Sequence, residues 1–352
     1  MDTSFLSSED ACLWEHLAKL YASENHLSIT ASEIKARIQT ACLLSKHKIN
    51  IPAAIMRDSK IVAFWVLHID SQNHLNGVGP CGFSNLISIA NERDLLALVN
   101  GSLALINQIS PENVNAGLTG PIHTSVLVSR GLRLFEDDFI PFSMPNNKKA
   151  LSDVLMSLGF VKDKDMIEIV YEHCDDNTIL VESNNKILKR LEEIEFIKIT
   201  KENIESYLED ITDCYNISWS NNWGYSAASV TEFRLAAKNL SNFIGMIAVK
   251  NNCLLGFTMM ALDEDAKGVY GRAFFTGVLP NYRRLGLSPI LTTKLAHIGI
   301  IDLEVKRFSV SWMLEENLMV LRTMKKLLQG GSFFERSYRI FSYFPLNKLQ
   351  LA

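Results

Sequence analysis

The sequence predicts an α/β protein of the α+β type: two units in tandem, each a mixed, mostly antiparallel twisted sheet flanked by helices. Three observations predict it. Short strand-like runs alternate with amphipathic helical runs along the chain. The same order of elements occurs twice, with little identity between the copies. Between them lies "CDDNTILVESNNKILKRLEE", polar and Asn-rich at its start, which puts the boundary near residue 185 and the units at 1–185 and 186–352. A chain of 352 residues that is 47% hydrophobic and 21% charged can bury two cores of ordinary size.

In the first unit, "SSEDACLWEHLAKLYASENH" reads as a helix with Ser7 or Ser8 as its N-cap, and Thr30 and Glu33 frame a capping box for a second. "AAIMRDSKIVAFWVLHID" is two strands joined by a tight turn at Arg57, Asp58 and Ser59. A strand near "CGFSNLI" and the helix "ERDLLALVNGSLALINQI" follow. After another strand come the helix "NNKKALSDVLMSLGF" and the terminal strand "DMIEIVYEH".

The second unit repeats the plan. Ser229 and Glu232 frame a capping box. "GMIAVKNNCLLGFTMMALDED" is a hairpin turning at Asn251 and Asn252, and Asp263, Glu264 and Asp265 are read as its solvated far end. "VYGRAFFTGVL" is the third strand and "SPILTTKLAHIGIIDLE" the helix after it. The strand "RFSVSWML", the helix "NLMVLRTMKKLLQGG" and the terminal strand "RSYRIFSYF" complete it.

Bulk properties narrow the function. A formal net charge of -4 argues against a nucleic-acid binder that relies on an overall positive field. Lys186, Lys189 and Arg190 read as a solvated helix face. The N-terminus has no basic segment ahead of an apolar core, and no apolar run reaches membrane-spanning length. The six cysteines form no CxxC and none has a His at ligand spacing, so they read as free, mostly buried thiols in a reducing compartment. A cytoplasmic protein without a metal, a membrane or a nucleic acid as partner is expected. "FEDDF" (135–139) clusters three acids and reads as a solvated turn, and His297, the single histidine of the second unit, as a packed or surface residue.

One stretch points to a ligand. In "NYRRLGLSPILTTKL" (281–295), Arg283 and Arg284 run into Gly286, and Ser288 and Pro289 suit an N-cap and first helical position. Pro280 ends the strand before it, and Gly277 inside that strand permits a bulge or the close approach of another backbone. A helix N-terminus behind a glycine-containing loop, with two arginines beside it, is an anion site of the pyrophosphate-cradling kind. A surface turn with solvated arginines is the alternative. The stretch is neither a Walker loop nor G-x-G-x-x-G.

Arg283 to Ser288, preceded by Val278, Leu279 and Pro280, resembles the [Q/R]-x-x-G-x-[G/A] motif of the GCN5-related N-acetyltransferase (GNAT) superfamily. The resemblance covers most of residues 195–344. "SWSNNWGY", "SWMLEEN", "SYRIF", "GFVKDKDM" and "GPIHTS" are similar to a bacterial branch of large acetyltransferase-like proteins with a degenerate N-terminal copy. Its counterpart loop here, "ISIANERD", has neither glycine nor an arginine pair, so coenzyme A is expected only in the second unit. The resemblance implies that the amides from Arg284 through Leu285, Gly286 and Leu287 to Ser288 hold the pyrophosphate, with Arg283 beside them. It also implies that Gly277 and Val278 face the thioester and pantetheine arm. Ser288 departs from the family's Gly or Ala, and a capping hydroxyl there would compete for those amides.

It further implies an acyltransferase that takes acetyl-CoA or another short acyl-CoA as co-substrate and transfers directly to a small-molecule acceptor in a ternary complex. Glu315 and Glu316 end a strand at the mouth of the site; Glu316 reads as a general base or as a helix-capping acid. Asn317 reads as a cap or a pantetheine contact. The family's usual Tyr acid falls here on Met324, so Tyr338 and Tyr270 are the substitutes, each equally a buried aromatic. Trp219, Asn222, Trp223 and Tyr225 are either the walls of an acceptor pocket or core packing. A CoA-binding or partner-binding protein without turnover, and an acyltransferase fed by an acyl-carrier protein, remain open, as does a homodimer.

Overall fold

A computed structural model describes residues 3–5, 14–15, 48–58, 60–70, 75–84, 89, 91–122, 130–137, 144–145, 147, 149–172, 191, 193–240, 242–265, 268–327 and 332–345. The first helix except Trp14 and Glu15, the Thr30–Glu33 capping box, Lys186, Lys189, Arg190 and the boundary near 185 lie outside them. In chain order the strands are β1 (Thr3–Phe5), β2 (Lys48–Arg57), β3 (Lys60–Asp70), β4 (Cys81–Phe83), β5 (Leu118–Gly120), β6 (Leu132–Arg133), β7 (Val161–Glu172), β8 (Glu195–Ile199), β9 (Asn242–Lys250), β10 (Cys253–Asp265), β11 (Gly268–Val278), β12 (Arg307–Leu314) and β13 (Ser332–Tyr343). The helices are α1 (Glu92–Ile109), α2 (Ala150–Ser157), α3 (Leu208–Trp219), α4 (Val230–Asn239), α5 (Leu287–Asp302) and α6 (Leu318–Leu327).

Two compact units form, and neither is one continuous segment. Unit 1 is Met1–Asp165, Trp223–Ser226 and Tyr338–Ala352; unit 2 is Met166–Asn222 and Ala227–Ser337. The strands read from sequence as the last of each half are thus divided within themselves, β7 after Asp165 and β13 after Ser337. Hydrophobic alternation identifies a strand but says nothing of which sheet edge it will pair with.

In unit 1 the predicted hairpin forms between β2 and β3, with Asp58 in the left-handed region at φ 49°. The sheet runs β1-β2-β3-β4-β5 and takes the end of β13 beside β5. β4 and β5 are parallel and meet at one pair, Gly82 and Thr119. α1 packs Leu95, Leu98, Val99 and Ile106 onto this sheet, and Trp65 donates its Nε1 proton to Ser102 Oγ at 3.0 Å.

In unit 2 the order is β8-β9-β10-β11-β12-β7. Asn251 and Asn252, both at positive φ (51° and 61°), close the β9–β10 hairpin as the two-residue turn that strand twist favours. β10–β11 and β12–β7 are antiparallel and β11–β12 parallel, so the sheet is mixed. α5 buries Leu287, Ile290, Leu291 and Leu295 on one face. Tyr215 of α3 and Phe233 of α4 pack on Phe275 of β11 from the other. The Ser229 capping box forms as predicted: Glu232 N donates to Ser229 Oγ at 3.2 Å, and Ser229 N to Glu232 Oε2 at 2.8 Å.

Candidate functional site

The site is a fork in the sheet of unit 2. β11 and β12 pair from Tyr270–Arg307 to Ala273–Val310 and no further. At that point each strand takes an irregularity. β11 carries Phe274 as an extra residue between the Met259–Phe275 and Met260–Ala273 pairs, and the register of β12 shifts against β7 between Val310 and Met313. A bulge bends its strand and raises the local twist, and the two strands part. The bulge sits at Phe274, not at Gly277, which pairs in register with Phe257. Glycine is needed at 277 because a Cβ there would lie 2.6 Å from Phe257 Cε1 and 2.8 Å from Ser218 Oγ.

The outer part of β11 offers backbone to the fork. Leu279 N donates to Leu255 O at 3.0 Å, which makes that a hydrogen-bonded pair. Pair types alternate along an antiparallel ladder, so the N–H and C=O groups of Thr276 and Val278 point away from β10, into the fork. Two of these carbonyls already accept: Trp219 Nε1 donates to Thr276 O at 3.0 Å, and Arg283 Nε to Val278 O at 3.2 Å. Arg283 Nη2 also donates to Ser218 O at 2.5 Å, tying the last turn of α3 to the end of β11. Cys214 lies in the same seam; burial pushes its thiol up to about 12 although the Leu279 backbone and the Arg283 charge oppose this.

The predicted anion loop stands at the open end. A 3-10 turn over Pro280–Leu285 leads to Gly286, at φ 77° and ψ 21°, and α5 starts at Leu287. Gly286 is the N-cap, not Ser288, because its left-handed conformation turns the chain into the helix two residues earlier than expected. Pro289 falls within the first turn, where no intrahelical acceptor awaits its missing N–H. Ile290 N reaches Gly286 O at 3.4 Å, α5 has no side-chain cap, and Leu287 and Ser288 make no main-chain bond through their amides among the described residues. There is no acid in this first turn. Arg284 is exposed and has no partner among the described residues, whereas Arg283 is committed to Val278 and Ser218. Leu285 is exposed at the turn's end.

The counterpart helix in unit 1 is built oppositely. Asn91 Oδ1 accepts from Asp94 N at 3.0 Å, and Glu92 and Asp94 occupy the first turn of α1. Asp94 Oδ1 in turn meets Arg57 Nη2 at 2.8 Å. Acids and a side-chain cap fill the place an anion would take.

The candidate catalytic residues stand in different settings. Glu316 is exposed in the turn where β12 ends. Tyr270 is fully buried; its Oη donates to Glu168 Oε1 at 3.3 Å and accepts from Arg336 Nη1 at 3.4 Å, and burial followed by the Glu168 charge pushes its hydroxyl far up. Tyr338 belongs to unit 1, where it is buried edge-on to Phe135. Asn317 caps α6, accepting from Val320 N at 3.4 Å. Met324 is buried in the core of unit 2.

The acceptor candidates also divide. Trp219, its ring tilted against that of Tyr215 at 5.5 Å, and the exposed Asn222 belong to unit 2. Trp223 and Tyr225 belong to unit 1, where Trp223 Nε1 donates to Gly77 O at 2.9 Å and Tyr225 O accepts from Asn76 N at 3.0 Å. Of "FEDDF", Glu136 lies 3.6 Å from Arg133, and residues 138–139 are outside the described set. His297 is exposed. Among the described residues there is no cluster of His, Cys, Asp or Glu able to hold a metal ion, and no helix long and apolar enough to cross a membrane.

Sequence reasoning missed Arg272. Its Nε donates to Ser311 Oγ at 2.8 Å, and its guanidinium lies 4.7 Å from the Trp312 ring centroid and 5.6 Å from that of Phe274. The signal was present: a charged residue in the middle of the apolar strand "VYGRAFF" must have a partner to be buried.

No family model and no curated protein matches the chain. Solved structures do. A tandem GNAT protein from the clavulanic acid biosynthesis pathway, solved without acetyl-CoA, aligns over 98% of this chain and 99% of its own, at 11% identity and a TM-score of 0.59. A GCN5-related N-acetyltransferase from Anabaena variabilis aligns over 97% of this chain and 72% of its own, at 12% identity and TM-score 0.56. A probable N-acyltransferase from Enterococcus faecalis has the same coverage and identity, at TM-score 0.55. Identities this low speak for fold and not for reaction. From the fork, the helix behind it and these likenesses, the chain has the fold of a tandem GCN5-related N-acetyltransferase.

Proposed function

We propose that this protein is an acyl-CoA-dependent N- or O-acyltransferase that uses acetyl-CoA and acts on a small-molecule acceptor by direct transfer in a ternary complex. The observation that carries the reading is the α5 N-terminus, uncapped and free of acids, at the open end of a fork whose inner edge presents backbone amides. A diphosphate needs N–H donors and positive charge. Leu287 and Ser288 would hold it through their amides and Arg284 through its guanidinium. The amides of Thr276 and Val278 would hold the carbonyl groups of the arm. When bound, the thioester supplies an activated acyl group.

Glu316, exposed in the turn after β12, would take a proton from the acceptor, directly or through water. Trp219, anchored by its indole N–H, offers an apolar wall beside the fork. A second reading, CoA binding without turnover, is favoured by one feature: Met324, at the family's acid position, is buried in the core and cannot give a proton.

Calorimetry with coenzyme A and a thiol-release assay with acetyl-CoA and an amine panel test both. The proposal expects binding and turnover, both lost in Gly286→Asp, which sets a carboxylate against the diphosphate. Binding without turnover on any amine, and equally without turnover from acyl-carrier donors, would favour the second reading. No binding at all would end both.

A further inference from the structure

We propose that Arg272 stabilises the negative charge left on sulfur when the thioester is cleaved; this rests on the acyltransferase reading above. Arg272 and Ala273 are the last β11 residues paired with β12. The guanidinium therefore stands at the crotch of the fork, between Phe274 on one departing strand and Trp312 on the other. Ser311, the first β12 residue past the ladder, fixes its Nε. The Phe274 and Trp312 rings and the Ser311 hydrogen bond help to hold the charge in place, and the residue is only 3% exposed. A fixed charge in so dry a setting acts more strongly than one in water.

The need for such a charge also follows from the structure. Met324 has no proton to give, Tyr270 Oη is engaged with Glu168 and Arg336, and Tyr338 is fully buried, edge-on to Phe135. In the transfer, the acceptor's lone pair forms the bond to the acyl carbon. The carbon–sulfur bond breaks with its electron pair leaving on sulfur, and the acceptor's proton passes to Glu316 or to water. Nothing is oxidised or reduced. A guanidinium does not release a proton at any ordinary pH, so Arg272 stabilises the thiolate by its field. Charged or titratable groups of the strands on this face include Glu168 and Glu172 of β7, Asp263 of β10, Tyr270 of β11, Arg307 of β12 and Arg336 of β13; the Arg307 guanidinium lies 5.2 Å from the Tyr270 ring centroid, and Arg336 Nη1 3.5 Å from Glu168 Oε2.

The test is the ionisation of coenzyme A on the protein, followed by thiolate absorbance against pH. The bound thiol should titrate about one unit or more below the free thiol. Arg272→Lys should keep most of that shift and Arg272→Gln should lose it. In acetyl transfer, Arg272→Gln should lower kcat by about 100-fold with KM for acetyl-CoA unchanged. A wild-type complex whose thiol titrates like free coenzyme A overturns the inference without any variant, as does a thiol in Arg272→Gln that titrates at the wild-type complex's lowered value. Failure of the wild type to bind coenzyme A would instead remove the functional reading itself, and this inference with it.

Discussion

Arg283 joins two elements far apart in sequence: its Nη2 lies 2.5 Å from Ser218 O at the end of α3, while its Nε holds Val278 O at the end of β11. The neighbouring Arg284 makes no such bond among the described residues. Two arginines adjacent in sequence thus stand in different settings, and under the proposed function they would differ in effect. Arg284→Ala should weaken coenzyme A binding by about tenfold, about 1.4 kcal/mol, and leave the melting temperature unchanged. Arg283→Ala should lower the melting temperature. Calorimetry and thermal melts on both variants check this, and equal effects would refute the division.

Gly277→Ala would put a methyl group into Phe257 and Ser218. Overpacking of this kind costs about 1–3 kcal/mol, and relief would require α3 to move from β11. Denaturant unfolding should show the loss, and a variant as stable as wild type would mean that the seam is loose.

Met324→Tyr puts a tyrosine where the motif resemblance would place an acid, but in sequence only. Met324 is buried among the core residues of unit 2, so the added ring and hydroxyl should destabilise the fold and confer no faster transfer. A rise in kcat with an unchanged melting temperature would show that position 324 opens on the site.

Asp165 links to Arg339 through paired bonds of 2.7 and 2.8 Å and to Lys162 at 3.0 Å. Burial alone would push its carboxyl up; the bonds from Arg339 and Lys162 outweigh that and hold it below the usual carboxylate range. A depressed folded pKa stabilises the protein above the unfolded value, about 3.9. That stability is lost as pH falls below this value and through the folded pKa. Asp165→Asn should therefore be less stable at neutral pH and lose less on acidification. Parallel acid limbs in the two unfolding curves would count against it.

Thiol labelling should be selective. Burial, then the Glu112 and Asp70 charges, pushes Cys81 up to about 12, and burial does the same to Cys214, while Cys253 is exposed. Alkylation at pH 8 followed by peptide mass spectrometry should find Cys253 modified well before the other two.

Much of this was legible in the chain. The Asn251–Asn252 turn, the Ser229 capping box, the 92–109 helix and the two-copy plan all depend on residues close together in sequence, where dihedral preference and hydrophobic period act directly. The left-handed Gly286 turn was legible for the same reason. What the tertiary structure decided is every relation across elements: the division of β7 and β13 between units, the bulge at Phe274, Arg283 turned to carbonyls, Met324 in the core, and Arg272 at the foot of the fork. Those depend on which strand edge finds which partner and on what remains to satisfy a buried charge, and both are settled only when distant segments pack.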